Sequence, residues 1–179
     1  MTVRRVVTGE TPDGRHVVVS DEAIEPRRAK ALAGVDMHYL WGSDTRFSVP
    51  TDGTEPPWRE HFPPTDGVRL ILFGLAPATL AGHDGTVSEA DLREADEQFP
   101  GLLGSFDDDD AGAHASTTVD FAVVLRGEIT LEVDDGERRD LAAGDVVVQN
   151  GTRHKWTNNG SDQALVAFVL LGASARSHR

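Results

Sequence analysis

The chain of 179 residues contains no cysteine. Disulfides, thiolate zinc sites, iron–sulfur clusters and cysteine nucleophiles are therefore excluded, and any metal would be held by nitrogen and oxygen. Positive charge is scarce: 17 Lys and Arg stand against 30 Asp and Glu, a formal net charge of -13. Such a surface repels phosphate backbones and anionic headgroups, so neither nucleic acid nor a membrane is expected as partner. Lysine is nearly absent, with Lys30 and Lys155 against 15 Arg, a skew that suggests a GC-rich bacterial genome. Long apolar runs are missing too. The opening MTVRRVVTGETPDGR has no signal-peptide core, and no segment approaches the ~18 residues of a membrane span; the expected location is cytoplasmic. There is neither a phosphate-binding glycine loop between strand and helix nor a Gly-x-Ser-x-Gly elbow, so no nucleotide cofactor is expected.

What is present is a hydrophobic fraction of 39%, enough for one core at a length that suits a single domain. The apolar residues recur mostly at period two in short segments bounded by Gly, Pro, Asn or Asp, the pattern of half-buried strands. Strands are predicted at Val3–Val7, His16–Ser20, Met37–Trp41, Val68–Leu75, Thr118–Arg126, Glu128–Val133, Asp145–Gln149 and Ala164–Leu171. Asp13-Gly14, Asp135-Gly136, Asn150-Gly151 and Asn159-Gly160 supply turns, several of them read as hairpins. One short amphipathic helix is predicted, capped by Ser88, carrying Leu92, Ala95 and Phe99 at helical spacing and stopped by Pro100. Residues 48–64, with five prolines, and 104–112, with the acidic run Asp107–Asp110, read as irregular, the latter as a solvated loop of mutually repelling carboxylates. The fold class is all-β, an antiparallel sandwich or barrel: a strand arm over 1–36, further strands, loops and the helix over 37–110, and the densest β segment over 111–173.

Strand parity puts His114, Ser116, Thr118, Asp120, Ala122 and Val124 on one face, polar at one end and apolar at the other, as a barrel with a reactive mouth requires. The opposite face, with Phe121, Val123 and Leu125, is also apolar and needs cover from another sheet or subunit, so a homodimer is expected. A second segment runs from Gly144 through a strand and a turn to His154, Trp156 and Asn158 on one face.

These two segments resemble the paired signature motifs of the cupin superfamily. Gly112, His114, Ser116, Asp120 and Gly127 fall on the first motif, with Ser in place of its second His and Asp in place of its Glu. Gly144, His154 and Asn158 fall on the second, one residue shorter before the His. Over its length the chain also looks like small bacterial cupin-domain proteins. The resemblance implies an antiparallel double-stranded β-helix (jelly-roll) barrel with a ligand or metal site inside one end. It further implies His114, Asp120 and His154 as ligands of a divalent ion such as Fe, Zn or Mn; without metal the same three would act as acid and base. Ser116, Thr118, Asn158, Trp156, Tyr39, Trp41 and Arg69 are candidate substrate contacts, Arg69 as a carboxylate anchor or a structural ion pair. Tyr39 and Trp41 share a face by parity. His16, His38, His61, His83 and His178 lack partners at ligand spacing and read as surface or packing residues. The expected function is an enzyme acting on a small carbonyl or carboxylic acid metabolite, as dioxygenase, decarboxylase, dehydratase or isomerase. The alternative is a module that binds a metabolite without turnover.

Overall fold

The computed structural model describes residues 1–80, 87–110 and 112–175. Ten strands and one α-helix follow in the order β1 (Val3–Glu10), β2 (His16–Ile24), β3 (Val35–Ser43), β4 (Val68–Leu75), α1 (Glu89–Gln98), β5 (Thr118–Arg126), β6 (Glu128–Glu132), β7 (Arg138–Ala142), β8 (Val146–Asn150), β9 (Lys155–Thr157) and β10 (Ala164–Gly172). β1 and β2 form the N-terminal hairpin arm. The remaining strands make two antiparallel sheets, ordered β3-β4-β10-β5-β8 and β7-β6-β9. This is the jelly-roll barrel with an arm and one short helix that the sequence implies.

The sheets are held apart and closed by alternate side chains. Ala122, Val124, Ile129, Ala164 and Val166 form one buried cluster, backed by Trp156, Leu141 and Phe168. A second cluster joins Met37, Tyr39, Ile71 and Leu170 to Ala95, Phe99 and Leu102 of the helix and its exit. The helix starts in a capping box, with Ser88 accepting from the Asp91 amide and the Asp91 carboxylate accepting from the Ser88 amide. Its predicted apolar stripe is only half used: Ala95 and Phe99 are fully buried, whereas Leu92 is 46% exposed.

Two expectations about connectivity are corrected. Asn150-Gly151 and Asn159-Gly160 are not hairpins, because β8, β9 and β10 lie in alternating sheets and each turn carries the chain across the barrel. Asp13-Gly14 and Asp135-Gly136 do close hairpins, the latter with both residues at positive φ (58° and 71°), as a tight two-residue turn demands. β7 escaped prediction because its segment RRDLA has one apolar side chain besides a terminal alanine; its outer face meets solvent and its pairing is set by β6.

Candidate active site

Below the mouth of the barrel lies a cavity of about 470 Å³, within the range of small-molecule sites. Its walls are aliphatic and aromatic: Met37, Ile71, Phe73, Phe168 and Leu170 from the large sheet, and Leu102, Leu103 and Phe106 from the segment after α1. The polar groups are gathered in His61, His114, Asp120 and His154, with Trp156 beside them. The two distant motifs therefore converge. The join is made by backbone: the His114 amide donates to the His154 carbonyl and the His154 amide to the His114 carbonyl, both at 3.0 Å. This small bridge brings the two imidazole centroids to 4.3 Å.

Hydrogen bonds decide which face each ring shows. His154 Nδ1 donates to the Thr152 carbonyl at 2.9 Å, so its Nε2 carries the lone pair, and the Gln149 amide nitrogen lies against both ring nitrogens, 2.8 Å from Nε2. His114 Nδ1 donates to the Gly112 carbonyl at 3.2 Å and likewise leaves Nε2 as an acceptor. Burial pushes the His114 imidazole below its ordinary pKa, and it takes His154 down to about 4. Both are neutral at pH 7. Asp120 sits opposite Gln149 in the β5–β8 ladder and is 3% exposed, with Oδ1 lacking any partner. Desolvation raises its carboxyl to about 6, an effect offset in part by the Thr118 hydroxyl. Asp120 is thus a stronger base than His154, because its conjugate acid has the higher pKa.

The buried imidazoles carry a stability consequence with a definite sign. Their folded pKa values lie below the ordinary value near 6.5, so between about pH 4 and 6.5 the unfolded chain binds more protons than the folded one. Stability that is complete above pH 6.5 is lost as pH falls through this window. Asp120, shifted upward, works in the opposite direction and cancels part of one histidine's effect. We expect the urea midpoint to fall steadily from pH 7 to pH 4.5, and the slope to shrink in His154→Gln; a midpoint unchanged across that range would contradict the neutral, buried state of these rings.

The donor set does not fit a metal cage. Among the described residues no three His, Asp or Glu side chains come together as ion ligands. Asp120 reaches about 1.5 Å less far than a glutamate would, and the Gln149 amide nitrogen crowds both ring nitrogens of His154. The implied triad of His114, Asp120 and His154 thus shares a cavity without forming a coordination sphere.

Of the other candidates, only Trp156 lines the cavity. Ser116 and Thr118 bond to each other at 2.6 Å. Asn158 is a strut: its amide nitrogen donates to the Leu75 and Asp162 carbonyls and its oxygen accepts from the Gly160 amide. Arg69 is fully buried and structural, donating to the carbonyls of Glu60, Ser43 and Val68 and to Asp44. Tyr39 and Trp41 do not share a face. The β3–β4 register slips between them, Tyr39 opposing buried Ile71 and Trp41 opposing Leu70, because a bulge at Leu40 breaks the alternation. Trp41 lies under the Arg5 guanidinium instead.

Three features escaped the sequence reading. His61, read as a packing residue, lines the cavity; it sits in the proline-rich loop, where no periodicity orients it. Gln149 faces inward and engages His154, as its parity with Val147 on β8 could have suggested. The acidic run is an irregular, largely exposed loop as read, but it is also pinned: Asp107 and Asp110 bind Arg153, and Asp110 also binds Lys155 at 2.6 Å. These cations flank His154 and pin its segment. His83 and His178 lie outside the described residues.

Residues 108–170 match the family model described as the cupin domain. Over 61 residues the chain is 48% identical to oryzines biosynthesis cluster protein J of Aspergillus oryzae, covering 34% of this chain and 34% of that protein. It is 41% identical over 61 residues to the cupin-domain-containing oxidoreductase srdD of Neurospora crassa, covering 32% and 31%. The matched segments span about a third of these relatives. They are fungal, so the bacterial origin suggested by the arginine excess finds no support in them. Among solved structures, the polyketide cyclase RemF of Streptomyces resistomycificus aligns with a TM-score of 0.45 at 13% identity, covering 82% of this chain and 72% of that one. No helix among the described residues is long and apolar enough to cross a membrane.

Proposed function

We propose that this cupin-domain protein is an enzyme that moves a proton at carbon next to a carbonyl in a small, largely apolar metabolite. The observation that carries the reading is the desolvated Asp120 carboxyl, 3% exposed, which lines an otherwise apolar cavity together with the three neutral imidazoles of His61, His114 and His154. At pH 7 the Asp120 carboxylate, with its pKa near 6, is mostly ionised and poised as general base. It removes a proton from the carbon α to the carbonyl, leaving the electron pair as an enolate. The protonated Asp120 then returns that proton to the same or a conjugated carbon, giving isomerisation, or to a departing hydroxide, giving water and a dehydrated product. His114 Nε2, an acceptor, orients a substrate hydroxyl. His154, held by Gln149 and Thr152, closes the polar end. The apolar walls exclude water, which keeps the carboxylate basic.

The names of the relatives, biosynthesis cluster proteins and cupin-domain-containing oxidoreductases, favour an enzymatic role over a module that only sequesters a ligand. The bicyclic ketone 2-tetralone is a suitable probe: its α-protons should exchange into D2O faster with the protein than in matched buffer, followed by proton NMR. Binding without faster exchange would reduce the protein to a binding module.

A homodimer is part of the same proposal. Phe121, Leu125, Val146, Val148 and Leu171 on the outer side of the large sheet are 37–61% exposed, a contiguous apolar face of the kind that subunits cover. Light scattering is expected to return twice the chain mass, and the mass of a single chain would remove this part of the proposal.

A further inference from the structure

We propose that His61, locked in one tautomer by Tyr39, is the hydrogen-bond donor that holds the substrate's carbonyl oxygen. A single contact fixes the tautomer. The Tyr39 hydroxyl lies 2.7 Å from His61 Nδ1, and it has no other hydrogen-bond partner among the described residues. A phenol hydrogen with one available acceptor points at it, so Tyr39 donates and Nδ1 accepts. A neutral imidazole that accepts at Nδ1 carries its hydrogen on Nε2.

The surroundings keep this arrangement in place. Tyr39 is buried and its pKa is raised by desolvation, so the phenol keeps its proton. Burial also holds His61 neutral, its pKa lowered to about 3. Tyr39 stacks on Trp58 with centroids 4.9 Å apart, and the Arg27 guanidinium lies 4.7 Å from its ring centre. The backbone at His61 is tied to the Pro100 carbonyl through its own amide, and the preceding Glu60 carbonyl accepts twice from Arg69.

His61 Nε2–H has no partner among the described residues. It is not sealed in the core either, since the buried polar atoms without partners belong to Arg5, His38, Asp120, Gln149 and Trp156. As His61 lines the cavity, its Nε2–H opens onto it. The contrast with the other two imidazoles gives the cavity its chemical sense. His114 and His154 spend their N–H groups on backbone carbonyls. Trp156 lines the cavity, but its indole nitrogen is closed off. Among the described lining side chains, His61 therefore offers the one open N–H. His61 and His114 flank the Phe62 ring, at 4.6 and 5.5 Å between centroids.

A carbonyl compound fits this polarity: its oxygen accepts from His61 while its α-carbon is left for Asp120. A neutral N–H aimed where enolate charge develops stabilises that charge without donating the proton outright. The inference takes its ligand class from the proton-transfer reading above, but it is a statement about binding and can be tested apart from turnover.

Two measurements decide it. In long-range proton–nitrogen correlation spectra of nitrogen-15-labelled protein, with His61 assigned by its disappearance in His61→Phe, the hydrogen should sit on Nε2. A hydrogen on Nδ1 would overturn the inference, and this readout needs no variant to remain active. The second is a matched titration with 2-tetralone and its hydrocarbon counterpart tetralin, followed by tryptophan fluorescence. Wild type should prefer the ketone by roughly fivefold, the worth of one neutral hydrogen bond. The preference should vanish in His61→Phe and fall in Tyr39→Phe. Equal affinities in wild type, or an undiminished preference in His61→Phe, would overturn it. If the preference holds while wild type fails to speed α-proton exchange, the reaction proposed above fails and the role of His61 as carbonyl anchor survives.

Discussion

Asp120→Asn is expected to slow α-proton exchange of bound 2-tetralone by roughly 100- to 10,000-fold, the usual worth of a positioned general base. Asparagine keeps the shape and volume of the side chain and removes only its ability to take a proton. Ketone affinity should change little, since the carbonyl contact lies elsewhere in the cavity. The pH profile of wild type should rise with deprotonation of Asp120 and be half-maximal near pH 6, following its pKa of about 6. The same substitution should also stabilise the fold above pH 6. The carboxyl's folded pKa lies above its ordinary value near 3.9, so ionisation costs the folded state more than the unfolded one, and the cost is complete once pH exceeds the folded value. Removing the charge recovers on the order of 1 to 3 kcal/mol at pH 8. Loss of rate with gain of stability is the signature of a strained functional group. Retained exchange in Asp120→Asn would dismiss Asp120 as the base.

Arg69→Met is expected to destabilise the protein by about 3 to 5 kcal/mol, read from urea denaturation at pH 7. The guanidinium is fully buried, and its N–H groups are spread over three backbone carbonyls and Asp44 while its plane lies 4.9 Å from the Trp58 ring centre. Methionine fills much of the volume but abandons those oxygens, of which the Ser43 carbonyl is buried and the others partly so. Lysine is a poor rescue, because one ammonium cannot reproduce a planar fork aimed at several acceptors. The damage should reach the cavity: the Glu60 carbonyl is one of the released acceptors, and His61 is the next residue. Ketone binding in Arg69→Lys should therefore weaken beyond the fraction unfolded. A loss below about 1 kcal/mol in Arg69→Met would show that the network contributes little.

Much of the barrel was legible in the chain because its β segments are short, alternate cleanly and end in residues with obvious turn chemistry. Val68–Leu75 and Thr118–Arg126 were bounded as observed. Alternation also placed Thr118, Asp120, Ala122 and Val124 together on the buried side of β5. The same reasoning failed at Tyr39 and Trp41, where one extra residue on β3 inverts the parity. It failed for the helix at Leu92, since a helical stripe predicts a face without saying how much of it the neighbouring sheet will cover.

Residue types and their spacing by themselves determined that two histidines and an acid from separate segments face one interior, because alternation and turn position are local properties of a strand. Local properties could not decide which hydrogen-bonding face each imidazole shows, nor that Arg69 serves as a strut, nor that His61 enters the cavity from a loop rich in proline. Those depend on which backbone carbonyl, hydroxyl or amide lies a few ångströms away across the fold, and only the closed barrel brings such partners together.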